Sequence, residues 1–298
     1  MILVTGGTGF IGRALIRRLV GDGFPVRSLL RPSNKSPNLP RQVSLEVAIC
    51  SLKDERGLRA AMKDVDTIVH LIGSERYGTR GDLTEVDIEG TRAIVEAGID
   101  AGVSRFLYLS HIGADRASAY PLLKAKGLAE QIIIQSKLPF TIVRSAVVFG
   151  QGDQFTTDLA SLIRISPGIF FLPADGKTLI QPIWIEDLVT CLSIAIEQES
   201  LVNKTISLGG LEYLTFRNIV ETVMMAVKLK RWVVNISPTT LRTITIYIEN
   251  FLRRFPLSLY WLDYLATDRT CDLNSVPRLF GIMPARFSRS LGYLTPPK

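Results

Sequence analysis

Three glycines near the start of the chain stand where a polypeptide backbone could hold an anion. The run Thr5-Gly6-Gly7-Thr8-Gly9-Phe10-Ile11-Gly12 follows the apolar stretch Ile2–Thr5 and leads into an amphipathic stretch over residues 11–20. In a strand-turn-helix setting Gly6 permits the tight turn, Gly9 lets the backbone approach a pyrophosphate, and Gly12 lets helix pack closely on strand. Helix N-terminal amides then favour the phosphate charge. Residues Thr5 to Gly12 are thus the expected cradle of a dinucleotide.

Which dinucleotide it is depends on the end of the second strand. A carboxylate there would bind a ribose 2′-hydroxyl and repel a 2′-phosphate, yet no Asp or Glu occurs from Phe24 to Leu45. Arg31 stands just past that strand, with Ser33 and Lys35 behind it and Arg13 at the start of the first helix. This arrangement favours NADP(H) over NAD(H). A solvated arginine, beside a site that takes either cofactor, is the alternative.

A second constellation is Tyr120 and Lys124, one helical turn apart, preceded by Ser110 and His111 at the end of the fifth strand. An ammonium on the same helix face lowers the phenol's pKa, so Tyr120 could pass a proton to or from a carbonyl or alcohol while the cofactor exchanges hydride. Lys124 could also hold ribose hydroxyls. Chance occurrence is the competing account of the pair.

The elements that must position these groups are visible in the hydrophobic pattern. Short runs rich in Val, Ile and Leu at Ile2–Thr5, Val26–Leu30 and residues 43–49, 67–71, 106–110 and 140–148 read as strands. Helical stretches alternate with them at residues 11–20, 52–62, 83–101 and 120–136, and Ser51 is a plausible cap of the second. The alternation implies an α/β fold: a Rossmann-type doubly wound parallel sheet over residues 1–150. Residues 151–298 read as a smaller C-terminal α/β appendage, a substrate- or partner-binding part interleaved with the core. It carries a strand end running into a helix at residues 184–197, a strand at 205–208, and helices at 215–227 and 241–255.

The composition suits a folded chain of 298 residues, 47% apolar and 21% charged. Residues 228–298 hold 11 Lys or Arg against 4 Asp or Glu, which accounts for the whole net charge of +7. This basic part could meet an acidic protein or an anionic membrane surface, or could simply be solvated, and the apolar stretch over residues 241–264 reads as an internal core or partner-facing helix pair, with a membrane-lying helix as the alternative. No aromatic-interleaved basic run favours nucleic acid. Cys50, Cys191 and Cys271 are widely spaced and form neither a disulfide framework nor a metal pattern. A strand beginning at Ile2, with no leader ahead of it, gives the expectation of a cytoplasmic protein, with membrane-peripheral attachment as an option.

Taken together, these residues resemble the short-chain dehydrogenase/reductase superfamily in its extended or atypical branch. The resemblance extends to Asp66-Thr-Ile-Val-His-Leu71-Ile72-Gly73, similar to the strand-four segment that borders the cofactor, and to Glu89-Gly90-Thr91, Arg144 with Val148-Phe149-Gly150-Gln-Gly-Asp153, and Gln181-Pro182-Ile-Trp-Ile-Glu-Asp187. It implies that Leu71, Ile72 and Gly73 line the cofactor and that Asp187 can cap a helix. Ser110-His-Ile-Gly-Ala-Asp115 and the ending Asp272-Leu-Asn…Leu279-Phe-Gly-Ile-Met-Pro284 are similar to the sub-branch that holds the accessory subunit of respiratory complex I and its bacterial relatives. Three positions depart from the pattern. Ser51 stands where an adenine-contacting Asp is usual, His111 where a second hydroxyl follows the serine, and Ser145 where Pro often follows the arginine.

Two functions follow from the resemblance. One is an oxidoreductase or epimerase-type enzyme with Tyr120 as acid/base, Lys124 as its partner and Ser110 as carbonyl donor, acting on an unidentified small molecule. The other is a cofactor-binding structural, assembly or regulatory protein that docks a partner.

Overall fold

A computed structural model describes residues 1–34, 36–73, 82–251, 256 and 258–295. Lys35 and residues 252–255, the end of the expected apolar helix, lie outside the described residues. In chain order the elements are β1 (Ile2–Thr5), α1 (Phe10–Gly21), β2 (Val26–Leu30), β3 (Glu46–Ile49), α2 (Glu55–Ala61), β4 (Thr67–His70), a π-helical turn (Thr84–Glu89), α3 (Gly90–Asp100), β5 (Arg105–His111), α4 (Pro121–Gln135) and β6 (Phe140–Ser145). There follow β7 (Val148–Phe149), α5 (Phe155–Ile165), β8 (Ile169–Pro173), β9 (Leu179–Ile180), β10 (Ile183–Trp184), α6 (Ile185–Glu197), β11 (Lys204–Leu208), β12 (Leu214–Thr215), α7 (Phe216–Ala226), β13 (Trp232–Ile236), α8 (Pro238–Phe251), α9 (Leu259–Tyr264) and α10 (Ser275–Phe280).

The chain divides into two compact units, and the first comprises Met1–Ser74, Gly81–Ser145 and Ile185–Ser207. It is built on a seven-stranded sheet in the order β11-β6-β5-β4-β1-β2-β3. Pairing is parallel from β3 through β6, with Ile2 of β1 opposite both Val26 and Thr67. This is the doubly wound Rossmann arrangement, and the strand order reverses between β1 and β4, where ligands of such sheets bind. The central strands β1 and β4 are short and buried along their whole length, which explains their largely apolar character, whereas the edge strand β3 is mostly exposed. On one side of the sheet Leu3, Ile68, Phe106 and Ile142 pack with Ile94 and Val95 of α3 and Ile133 of α4.

The second unit includes Ala146–Trp184 and Leu208–Lys298. Its core gathers Phe149, Leu159, Ile163, Phe170, Leu172, Ile219, Val223 and Phe287. Gln181, fully buried, donates from Nε2 to the Gly210 carbonyl at 2.8 Å and accepts the Cys271 N–H at 2.8 Å. One side chain thereby satisfies backbone groups of two distant segments, and a hydrophobic residue would leave both without it.

Several boundaries differ from the sequence reading. The α2 helix starts at Glu55 because Asp54, whose carboxylate accepts the Gly57 N–H at 3.0 Å, is the cap in place of Ser51. Asp187 lies within the first turn of α6, past the position of a cap residue. The apolar run over residues 140–148 is two strands, since β7 leaves the large sheet and pairs in parallel with β10. The stretch over 83–101 begins as a π turn before it becomes α3, and the helix expected from residue 241 already starts at Pro238.

Candidate functional site

The glycine loop joins β1 to α1 as the spacing predicts. Gly6 has φ +75°, a region that disfavours a side chain, and a Cβ there would lie 2.9 Å from the Leu71 carbonyl group. A Cβ on Gly12 would stand 2.2 Å from the Gly6 carbonyl oxygen and 2.8 Å from the Gly7 Cα, so neither residue admits even alanine without moving backbone. Gly9 caps α1 in an extended conformation and, having no side chain, makes no side-chain cap hydrogen bond. Arg13 closes the turn by donating from Nη1 to the Thr8 carbonyl at 2.7 Å. A helix start whose glycine cap offers its first amides no side chain, behind a backbone turn that excludes side chains, fits the pyrophosphate of a dinucleotide.

Arg31 is exposed directly after β2, and Ser33 is exposed two residues on. Ser51, half-buried after β3, accepts the Lys53 N–H at 3.2 Å with its hydroxyl. Leu71, Ile72 and Gly73 follow β4, and the backbone of Leu71 and Ile72 lies next to the loop residue Gly6.

Behind the loop runs a chain of hydrogen bonds whose direction is fixed by proton counting. Thr91 donates its hydroxyl to the Asp87 carbonyl at 2.6 Å, so it must accept from His70 Nε2 at 3.1 Å. His70 Nδ1 is then unprotonated and accepts from the Thr5 hydroxyl at 2.8 Å, which in turn accepts the Leu71 N–H at 3.3 Å. Burial, and next the Lys126 ammonium, push the His70 pKa down to about 3, so the ring is neutral. It stacks on Tyr108 with ring centres 5.6 Å apart. The relay therefore pins the last residue of β1, where the cradle begins, to α3.

The groups expected to carry proton transfer are placed less compactly. Tyr120 is half-buried as the residue before α4, and Lys124, one turn on, is exposed. The lysine that enters the interior is Lys126, only 2% exposed, whose Nζ lies 3.1 Å from Oδ1 of the fully buried Asp87 and 3.5 Å from the Ile72 carbonyl. One turn before Lys126 stands Leu122. Ser110 is buried and donates its hydroxyl to Glu130 Oε1 at 2.6 Å. Glu130 also takes Arg144 in a two-point grip, Nε to Oε1 at 3.0 Å and Nη2 to Oε2 at 2.5 Å, which raises the arginine's pKa further. His111 follows Ser110 as a partly buried residue at the end of β5, and Ser145, buried, follows Arg144 at the end of β6.

Sequence reasoning missed His70, Asp87, Lys126 and Glu130 as members of this site. A signal for two of them existed in helix phase. Leu123, Lys126, Gly127, Glu130 and Ile133 recur at three- and four-residue steps and are all buried, whereas Lys124 sits on the opposite face.

The glycine-capped helix start, the parallel sheet and its switch point define a dinucleotide-binding Rossmann protein, consistent with the resemblance of its sequence to the extended or atypical short-chain dehydrogenase/reductases. The model of the NAD(P)H-binding family matches residues 6–159, and the chain belongs to that family. It is 28% identical over 228 residues, 73% of this chain and 56% of the other, to the mitochondrial NADH dehydrogenase [ubiquinone] 1 alpha subcomplex subunit 9 of Arabidopsis thaliana. It is 31% identical over 167 residues, 56% of this chain and 52% of the other, to a ceramide reductase of Caulobacter vibrioides. The chain thus spans about half the length of these curated relatives. Among solved structures, a nucleoside-diphosphate-sugar epimerase from Staphylococcus aureus shares the fold with a TM-score of 0.77 at 18% identity, over 98% of this chain and 99% of that one.

Proposed function

We propose that this protein binds NADP(H) as a structural or regulatory ligand and does not run the serine-tyrosine-lysine proton relay on a carbonyl substrate. The observation that carries this reading is the commitment of the Ser110 hydroxyl to Glu130 at 2.6 Å, with the buried Lys126 preceded by Leu122 where a phenol would be needed. A bound nicotinamide would supply hydride chemistry, whereas Ser110, Glu130, Arg144, Lys126 and Asp87 hold charge and hydrogen bonds in place. On this reading the protein follows its relative among NADH dehydrogenase subunits, and the bound cofactor stabilises the fold on which a partner docks. The enzymatic alternative, in line with the ceramide reductase relative, rests on Tyr120, half-buried at the start of α4 within one turn of Lys124.

Arg31, exposed after a second strand without a carboxylate, supports NADP(H) over NAD(H). The deciding experiment adds NADPH and NADH separately to the purified protein and follows thermal shift and nicotinamide fluorescence. The same samples are then offered a panel of aldehydes and ketones. Tighter NADPH binding, weakened about tenfold by Arg31→Asp through loss of one charge-assisted hydrogen bond, and no oxidation of NADPH are expected. Turnover that Tyr120→Phe abolishes would establish the enzyme instead, and a preference for NADH would remove the role given to Arg31.

A further inference from the structure

Within the second unit, β8 and β13 pair in parallel, with Ile169 opposite Trp232 and Phe171 opposite Val234. Alternate residues of a strand point to opposite faces. Phe170 and Leu172 are accordingly buried in the core of this unit, while Ile169, Phe171, Trp232 and Val234 share the other face and are all exposed. Trp232 is 82% exposed and Phe171 54%. Scattered apolar residues on a surface are ordinary, but two aromatic and two aliphatic side chains set side by side on a two-stranded ribbon form a contiguous patch of the kind that marks an interaction surface.

The chain around the patch is cationic. Arg164 precedes β8, Lys228, Lys230 and Arg231 precede β13, and residues 164–173 and 225–236 contain no Asp or Glu. Lys228 and Lys230 are exposed, and Arg231 is anchored through Nε to the Ile163 carbonyl at 3.0 Å, which fixes the turn that presents them.

We propose that this face of the β8–β13 ribbon docks on an anionic lipid surface. Charge complementarity selects the occupant. A second copy of the chain seated on the same patch about a two-fold axis would bring like cations against each other. Lipid phosphates would meet them with opposite sign, while tryptophan is the side chain that best suits the headgroup boundary and lysine stems can lie along the apolar layer with their ammonium in water. No helix among the described residues is long and apolar enough to cross a membrane. The attachment is therefore a surface one, made by the ribbon's side chains and its lysines together.

The test mixes the full chain with phosphatidylcholine vesicles and with vesicles containing phosphatidylglycerol, and measures cosedimentation alongside fluorescence quenching by brominated lipid. Binding to the anionic vesicles alone is expected, weakened by salt and by about fivefold for each of Lys228→Gln and Lys230→Gln. Phe171→Ser with Trp232→Ser should abolish it, and Trp232→Phe should remove most of the quenching. The NADPH-induced thermal shift of each variant confirms that it is folded. The proposal is overturned by failure of the wild-type chain to bind anionic vesicles, by equal binding to both kinds, or by undiminished binding of the Phe171→Ser, Trp232→Ser variant. A dimer that this double variant dissolves, in a chain that ignores lipid, would assign the patch to a second copy.

Discussion

His70 carries a stability consequence in its protonation. The folded chain holds its pKa down at about 3, against 6.5 for an ordinary histidine, so between these values the unfolded chain binds the extra proton. The neutral ring contributes fully above pH 6.5, and its contribution is lost as pH falls below that, by up to about 1.4 kcal/mol per pH unit. Asp158 acts in the opposite sense. Burial, and then Asp153, raise its carboxyl from 3.8 to about 6, so the native state keeps a proton that the unfolded chain releases. Its effect favours folding at low pH and fades as pH rises towards 6. Urea unfolding from pH 7 to pH 4 should show stability decreasing with acid, and Asp158→Asn should steepen the decrease between pH 4 and 6. A flatter profile in that variant would contradict the assignment. Neither residue stood out in the sequence, because a lone histidine in a strand and an aspartate in the first turn of a helix acquire their character only from what buries them.

At the level of elements, α4 decides which lysine matters. Lys126→Met would leave the buried Asp87 charge without its ammonium and should cost about 3–5 kcal/mol. Lys124→Met, on the exposed face, should stay within about 0.5 kcal/mol. Equal melting points for the two variants would refute the distinction. The four-residue step from Tyr120 to Lys124 was legible as spacing, but spacing does not say which side of a helix faces inward; the burial stripe through Leu123, Lys126 and Glu130 does. The glycine loop was legible for the converse reason. Close approach of backbone to backbone at Gly6 and Gly12 dictates residue type directly. Ser51 was the cap that the sequence suggested, and only the backbone of α2 shows that Asp54 takes that place.

For the molecule as a whole, the alternation of apolar runs with amphipathic ones disclosed the parallel sheet, because its central strands, covered on both sides, are largely apolar. The second unit was less readable, since its strands of two residues and long-range ties such as Gln181 to Gly210 and Cys271 leave little local pattern. Across the whole chain, Cys50 and Cys191 are buried with thiol pKa values pushed up by that burial, Cys191 to about 12, while Cys271 is half-buried. Alkylation of the native protein should thus modify Cys271 first and slowly, and all three cysteines only after unfolding; rapid labelling of Cys191 would contradict its place in the core. The relay from Leu71 through Thr5, His70 and Thr91 to Asp87 has a further property. Each hydroxyl in it has a single proton to give, so none can reverse its direction alone. Thr5→Val and Thr91→Val each strand one nitrogen of the same imidazole, at about 1–3 kcal/mol apiece. Because both losses fall on one ring, the double variant should cost less than the sum, a coupling that a thermodynamic cycle would measure between a cofactor loop and a helix separated by 86 residues of chain.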